Sequence, residues 1–156
     1  MINKKYVEGI MIHRNYELPE YKFKPTVKYE ITIGVLEGYN FDKVTETDIY
    51  TLIDTALEKW KEYAAEFYSL TDIYISAIGL YQCSALYNEA WGCPKYGEPI
   101  VRFDCTLNPE FVKNPNIYED GIIYISKKLQ EFFKQYTVNI TKIHQTSVCY
   151  LKKEED

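Results

Sequence analysis

The chain has 156 residues, 46% of them apolar and 26% charged, a balance that fits one globular domain able to bury a core without disulfide or metal staples. Its formal net charge is -5 and its only arginines are Arg14 and Arg102, which excludes general nucleic-acid binding, because that relies on basic surface to neutralise phosphates. No apolar stretch approaches membrane-spanning length and none follows the early lysines, so neither a membrane span nor a secretory signal is expected, and a cytoplasmic location is.

Residues Tyr6 to His13 read as a short first strand, followed by an irregular connection marked by Pro19 and Pro25. From Val27 to Leu36 the β-branched residues alternate, with Ile31, Ile33 and Val35 on one face, which is the period of a strand. Thr45 or Thr47 then offers a helix cap, and Ile53, Leu57, Trp60, Ala64, Phe67 and Tyr68 recur at three- and four-residue steps, predicting an amphipathic helix over about 48–69. Ile73 to Tyr87 is extended in character, and Ile100 to Leu107 reads as a strand after the loop Asn88 to Pro99. Between Tyr118 and Tyr136 a second apolar stripe runs through Ile122, Ile125, Leu129, Phe132 and Phe133, and a last strand is expected over Val138 to Leu151.

The halves can be laid over each other. At an offset of 65 the stripe from Ile53 to Tyr68 falls on the stripe from Tyr118 to Phe133, and at 70 Ile31, Ile33 and Val35 fall on Val101, Phe103 and Cys105. Two βαβ units in series predict an α+β, ferredoxin-like two-layer sandwich from duplicated units, an antiparallel sheet with both helices on one face, with the N-terminal strand added. The expected organisation is a single domain over 1–156. Within it, 1–26 form the N-terminal strand and connection, 27–87 the first unit, 88–99 an aromatic Gly/Pro loop, 100–151 the second unit and 152–156 a charged tail.

In such a sheet alternate residues face away from the helices. With Val101, Phe103 and Cys105 in the core, Arg102, Asp104 and Thr106 face outward. The same phase argument puts Ile143, Cys149 and Leu151 inward on the last strand and His144, Thr146 and Tyr150 outward, while Tyr81 and Cys83 face outward on the strand before the loop. Thr32, Gly34 and Leu36 lie between. Arg102, Asp104, His144, Thr146 and Tyr81 are therefore expected to converge on a shallow ligand-binding floor, with Arg102 holding a phosphate or carboxylate by its planar fork. The loop adds Tyr87, Trp91 and Tyr96, aromatic residues of the kind enriched at binding hot spots, as a partner-contacting surface.

Motifs for catalysis are sparse. The segment Ile143 to Val148 carries one His-x-Thr and so resembles the two-histidine phosphoesterases, whose mechanism needs two such motifs; at an offset of 65 Gly79 and Tyr81 stand where the second would fall. Cys83, Cys93, Cys105 and Cys149 contain no CxxC pair and read as free thiols, and neither a zinc pattern nor a phosphate-cradling glycine loop is present, so no metal and no cofactor are expected. The resulting expectation is a non-catalytic binding protein, a homodimer or larger assembly, of the kind a phage or mobile element uses as an accessory or inhibitor. The alternative is a small nucleotide- or phosphate-ligand-handling enzyme or sequestering protein using Arg102, Asp104 and His144.

Overall fold

The computed structural model describes residues 23–37 and 46–151; the expected strand over 6–13 and the charged tail lie outside the described residues, as does Thr45. Chain order is β1 (Lys24–Gly34), α1 (Glu46–Thr71), β2 (Ile78–Ala85), a 3-10 turn (Glu89–Trp91), β3 (Glu98–Thr106), α2 (Pro115–Phe132) and β4 (Asn139–Val148). The strands form one antiparallel sheet in the order β2-β3-β1-β4, which is the ferredoxin-like order. The expected α+β sandwich is the one observed.

Alternation on β1 and β3 builds the sheet's inner face. Tyr29, Ile31, Ile33, Val101, Phe103 and Cys105 are all buried, and the register pairs Tyr29 with Cys105, Ile31 with Phe103 and Ile33 with Val101. Both helices cover this face. From α1, Trp60 stacks on Phe103 with ring centroids 4.4 Å apart and donates from its indole nitrogen to the Ile75 carbonyl at 3.0 Å, so its polar edge is satisfied inside the core. From α2, Tyr118 packs on Tyr29 at 5.9 Å, with Ile122, Ile125 and Leu129 fully buried behind it. Where the helices meet, Gly121 is required by contact, since a Cβ there would stand 2.7 Å from Phe67 and 2.8 Å from Ile75.

Helix α2 starts and stops for local reasons. The Asn114 side chain accepts from the amides of Asn116 and Ile117, with Pro115 opening the first turn. At the other end Lys134 adopts a left-handed φ of 51°, and the amides of Lys134 and Gln135 return to the carbonyls of Glu131 and Gln130. That pair of bonds is a Schellman cap built on lysine where glycine is usual.

Two strands depart from the expected phase. The pairing of β2 with β3 slips between Leu80 and Cys83, where Gln82 takes a φ of 56°, and that of β4 with β1 slips where Thr26 pairs with Thr146 but Lys28 with Ile143. Each bulge turns the following residues over. Of the residues expected inside, Leu151 is 70% exposed, and Ile143 and Cys149 are only half-buried.

Candidate functional site

Opposite the helices, the sheet presents a face over which no helix lies among the described residues. Its rows follow from register. Ile78, Asp104, Glu30 and Thr141 run across the four strands, followed by Leu80, Arg102, Thr32 and Asn139, then by Cys83, Ile100 and Gly34. Glu30 and Asp104, directly opposite each other, are like charges that repel unless cations lie between them. Arg102 supplies one, with Nε and Nη2 at 2.9 and 3.2 Å from the Asp104 carboxylate and Nη2 at 2.9 Å from Glu30. Lys28 supplies the second, its Nζ 3.3 Å from Glu30 and 3.7 Å from Asp104. The hydrogen bond to Asp104, foremost, raises the Arg102 pKa above the ordinary guanidinium range.

Arg102 and Asp104 are thus together on the outer face, as the strand period requires. The structure does not bring His144 or Tyr81 to them. Tyr81 precedes the β2 bulge and stacks on Tyr50 of α1, centroids 6.1 Å apart and planes 5° apart, with a hydrogen bond to Asp54. His144 lies within the β4 bulge, between Ile143 and Thr146, and it has no hydrogen bond or ion pair to Arg102 or Asp104 among the described residues. Thr146 pairs with Thr26 near the far end of β1, and its hydroxyl turns back to the Ile143 carbonyl at 3.5 Å. Leu36, expected outward, is buried. Lys28 and Glu30 were missed, although the alternation that places Ile31 and Ile33 inward also places these two outward.

The 88–99 loop is shaped by its own bonds. Asn88 caps the 3-10 turn by accepting from the Ala90 amide, and Gly92 closes it at a left-handed φ of 96°. Gly97, at φ 88°, then delivers Glu98 onto β3. Cys93 is half-buried, its sulfur accepting from the Tyr87 amide at 3.5 Å. The rings are left outside, Trp91 at 71% and Tyr96 at 82% exposure, so Trp91 does not close over the core, while Tyr87 is half-buried.

An α+β sandwich with a charged, helix-free sheet face and an aromatic hairpin beside it is compatible with many activities, because fold alone assigns none. A family model described as SAM lyase matches residues 24–152, from the start of β1 to beyond β4, and the chain belongs to that family. Comparison with curated proteins and with solved structures gives no match. Membership of a lyase family overturns the expectation of a non-catalytic binding protein, and with it that of a phage accessory or inhibitor. Among the described residues, no helix is long and apolar enough to cross a membrane.

Proposed function

We propose that this protein is a lyase acting on S-adenosylmethionine, and the observation that carries the reading is the family match over residues 24–152. The substrate supplies most of the chemistry. Its sulfonium is a leaving group in place, and its own carboxylate can reach the γ-carbon of the methionine arm. A new C–O bond closes a five-membered lactone as the C–S bond breaks, and sulfur keeps the electron pair to leave as the neutral thioether 5′-methylthioadenosine. No proton moves and no water is consumed. Two opposite charges vanish in this step, so a water-poor site that holds the arm folded would accelerate it.

The outer sheet face suits this task. Arg102 and Lys28 are cations already fixed by Glu30 and Asp104, able to orient a carboxylate, and the exposed rings of Trp91 and Tyr96 offer stacking surfaces for adenine. A flat face leaves most of such a ligand in water, whereas small-molecule sites enclose most of theirs. A second copy of the chain laid on this face would supply the missing wall, and half-buried Leu80, Ile100 and Ile143 with exposed Ile78 give it apolar area to cover. All four cysteines are free thiols, in keeping with a cytoplasmic enzyme.

Incubation with S-adenosylmethionine in ¹⁸O-water, followed by mass spectrometry, tests the activity. The expected products are 5′-methylthioadenosine and a lactone with no ¹⁸O on its γ-carbon oxygen. Label at that oxygen would mean hydrolysis, and no loss of substrate beyond the buffer control would remove the reading. Light scattering at tens of micromolar protein tests the assembly, a strict monomer counting against it.

A further inference from the structure

At the end of the sheet where β1 leaves it, two hydrogen-bond acceptors border one spot, and neither accepts a hydrogen bond from a side chain or amide among the described residues. The spot is the side-chain position of Gly34, which pairs with Ile100. A Cβ on Gly34 would stand 2.5 Å from Gln135 Oε1 and 2.7 Å from Glu98 Oε1, so the space is closed to any side chain and both oxygens border it. The orientation of Gln135 follows from chemistry. Its Nε2 donates to the carbonyls of Leu36 at 2.7 Å and Phe133 at 3.0 Å, and a flipped amide would put an oxygen against both carbonyls. Its backbone is held by the Schellman cap, its amide donating to the Gln130 carbonyl at 3.0 Å. The side chain of Glu98, a half-buried residue, makes no hydrogen bond or ion pair among the described residues.

The Arg102 network differs in kind, because there each carboxylate already has two cations. Over Gly34 a carboxylate and an amide oxygen border the same space, and neither oxygen is among the buried unpartnered atoms, so both are open to accept from the N–H donors of a cationic ligand group. A group with at least two N–H donors and a positive charge answers both. We propose that Glu98 and Gln135, across Gly34, form the subsite for the α-ammonium group of the substrate, an assignment that rests on the lyase reading above. The ammonium donates to the Glu98 carboxylate and to Gln135 Oε1, anchoring the methionine arm two residues along β1 from Thr32, which pairs with Arg102. Glycine at 34 is then a requirement of the ligand as well as of packing.

Titration with S-adenosylhomocysteine, which keeps the ammonium but has no sulfonium to lose, tests the assignment beside its des-amino analogue. For the unmodified protein the des-amino compound is expected to bind at least about tenfold more weakly, since it loses a charge-assisted hydrogen bond. In Glu98→Gln that difference is expected to collapse while the thermal midpoint stays within a degree or two. Glu98→Gln is the deciding variant because it preserves shape, and Gly34→Ala is expected to weaken both compounds. Equal binding of the two compounds to the unmodified protein, or an undiminished preference in Glu98→Gln, would overturn the subsite. If S-adenosylmethionine is turned over but its KM is unchanged in Glu98→Gln, the subsite alone fails. If the unmodified protein neither binds nor consumes it, the lyase reading fails as well.

Discussion

Glu30 and Asp104 face each other across β1 and β3, and the single guanidinium of Arg102 lies within hydrogen-bond distance of both. Removing Arg102 therefore leaves two neighbouring carboxylates with Lys28 alone between them. Arg102→Gln is expected to lower the thermal midpoint in dilute buffer, and the loss should shrink in about 1 M salt, where screening acts over roughly 3 Å. A loss that is the same at both salt concentrations would assign the effect to packing of the arginine stem instead.

Trp60 ties α1 to β3 by stacking on Phe103 and to the segment before β2 by one hydrogen bond to Ile75. Trp60→Phe keeps most of the contact with Phe103 but orphans the buried Ile75 carbonyl, at a cost of about 1–3 kcal/mol. Trp60→Ala also opens a cavity, and the expected loss is about 3–5 kcal/mol. Urea denaturation separates the two. If the variants lose equal stability, the hydrogen bond rather than the ring holds this position.

Stability should fall at both ends of the pH range. The hydrogen bond from Lys142, followed by that from Tyr29, holds the Glu119 carboxyl below the ordinary glutamate range. A group depressed in the folded state stabilises it above the unfolded pKa, and that contribution disappears as pH falls through the folded value. On the alkaline side burial raises Tyr29 and Tyr118 above the usual tyrosine range. Their contribution is complete below about pH 10 and is lost above it, as the unfolded chain ionises first. Lys142→Met should flatten the acid limb, and Tyr118→Phe the alkaline one. Because the Tyr118 hydroxyl is buried with no partner among the described residues, Tyr118→Phe should cost no stability at neutral pH, and a clear loss there would reveal a bond to a water or ligand.

The sheet order and the inner faces of β1 and β3 were legible in the sequence because those strands alternate without interruption, so Ile31, Ile33, Val101 and Phe103 fix the phase and Arg102 and Asp104 follow. β2 and β4 each carry a bulge, and one extra residue puts the two sides of the strand in opposite phase, so the outward phase that suits Cys83 fails for Tyr81 before it. That is why Tyr81 and His144 were grouped with Arg102 when they lie elsewhere. Gln82 at φ 56° bears no mark in the sequence, since glutamine is not a residue that signals left-handed backbone. On the lyase reading proposed above, the activity was hidden for a different reason. A substrate that carries its own nucleophile and leaving group needs charge and shape around it, so no triad, metal cluster or glycine loop is required. Nor does spacing tie Glu98 to Gln135, whose meeting depends on the helix cap and on a glycine in another strand.

Two backbone positions that frame the Glu98 and Gln135 pair should respond in opposite ways to substitution. Lys134 holds a left-handed conformation that glycine adopts without penalty, and its only ion pair among the described residues, with Glu37 at 3.4 Å, is exposed on both sides and contributes little. Lys134→Gly is therefore expected to raise stability by about 0.5–1 kcal/mol with turnover unchanged. Gly97 is the reverse case, since at φ 88° a Cβ would stand 2.8 Å from Leu86, 2.9 Å from Ser84 and 3.0 Å from the Ala85 carbonyl. Gly97→Ala should cost at least about 1 kcal/mol. Because Gly97 aims Glu98, the KM for S-adenosylmethionine should rise in Gly97→Ala by more than a loss of folded protein explains, a point settled by active-site-normalised kinetics beside urea denaturation. An unchanged KM in Gly97→Ala would show that the hairpin can shift without disturbing the substrate, and would detach Glu98 from its binding.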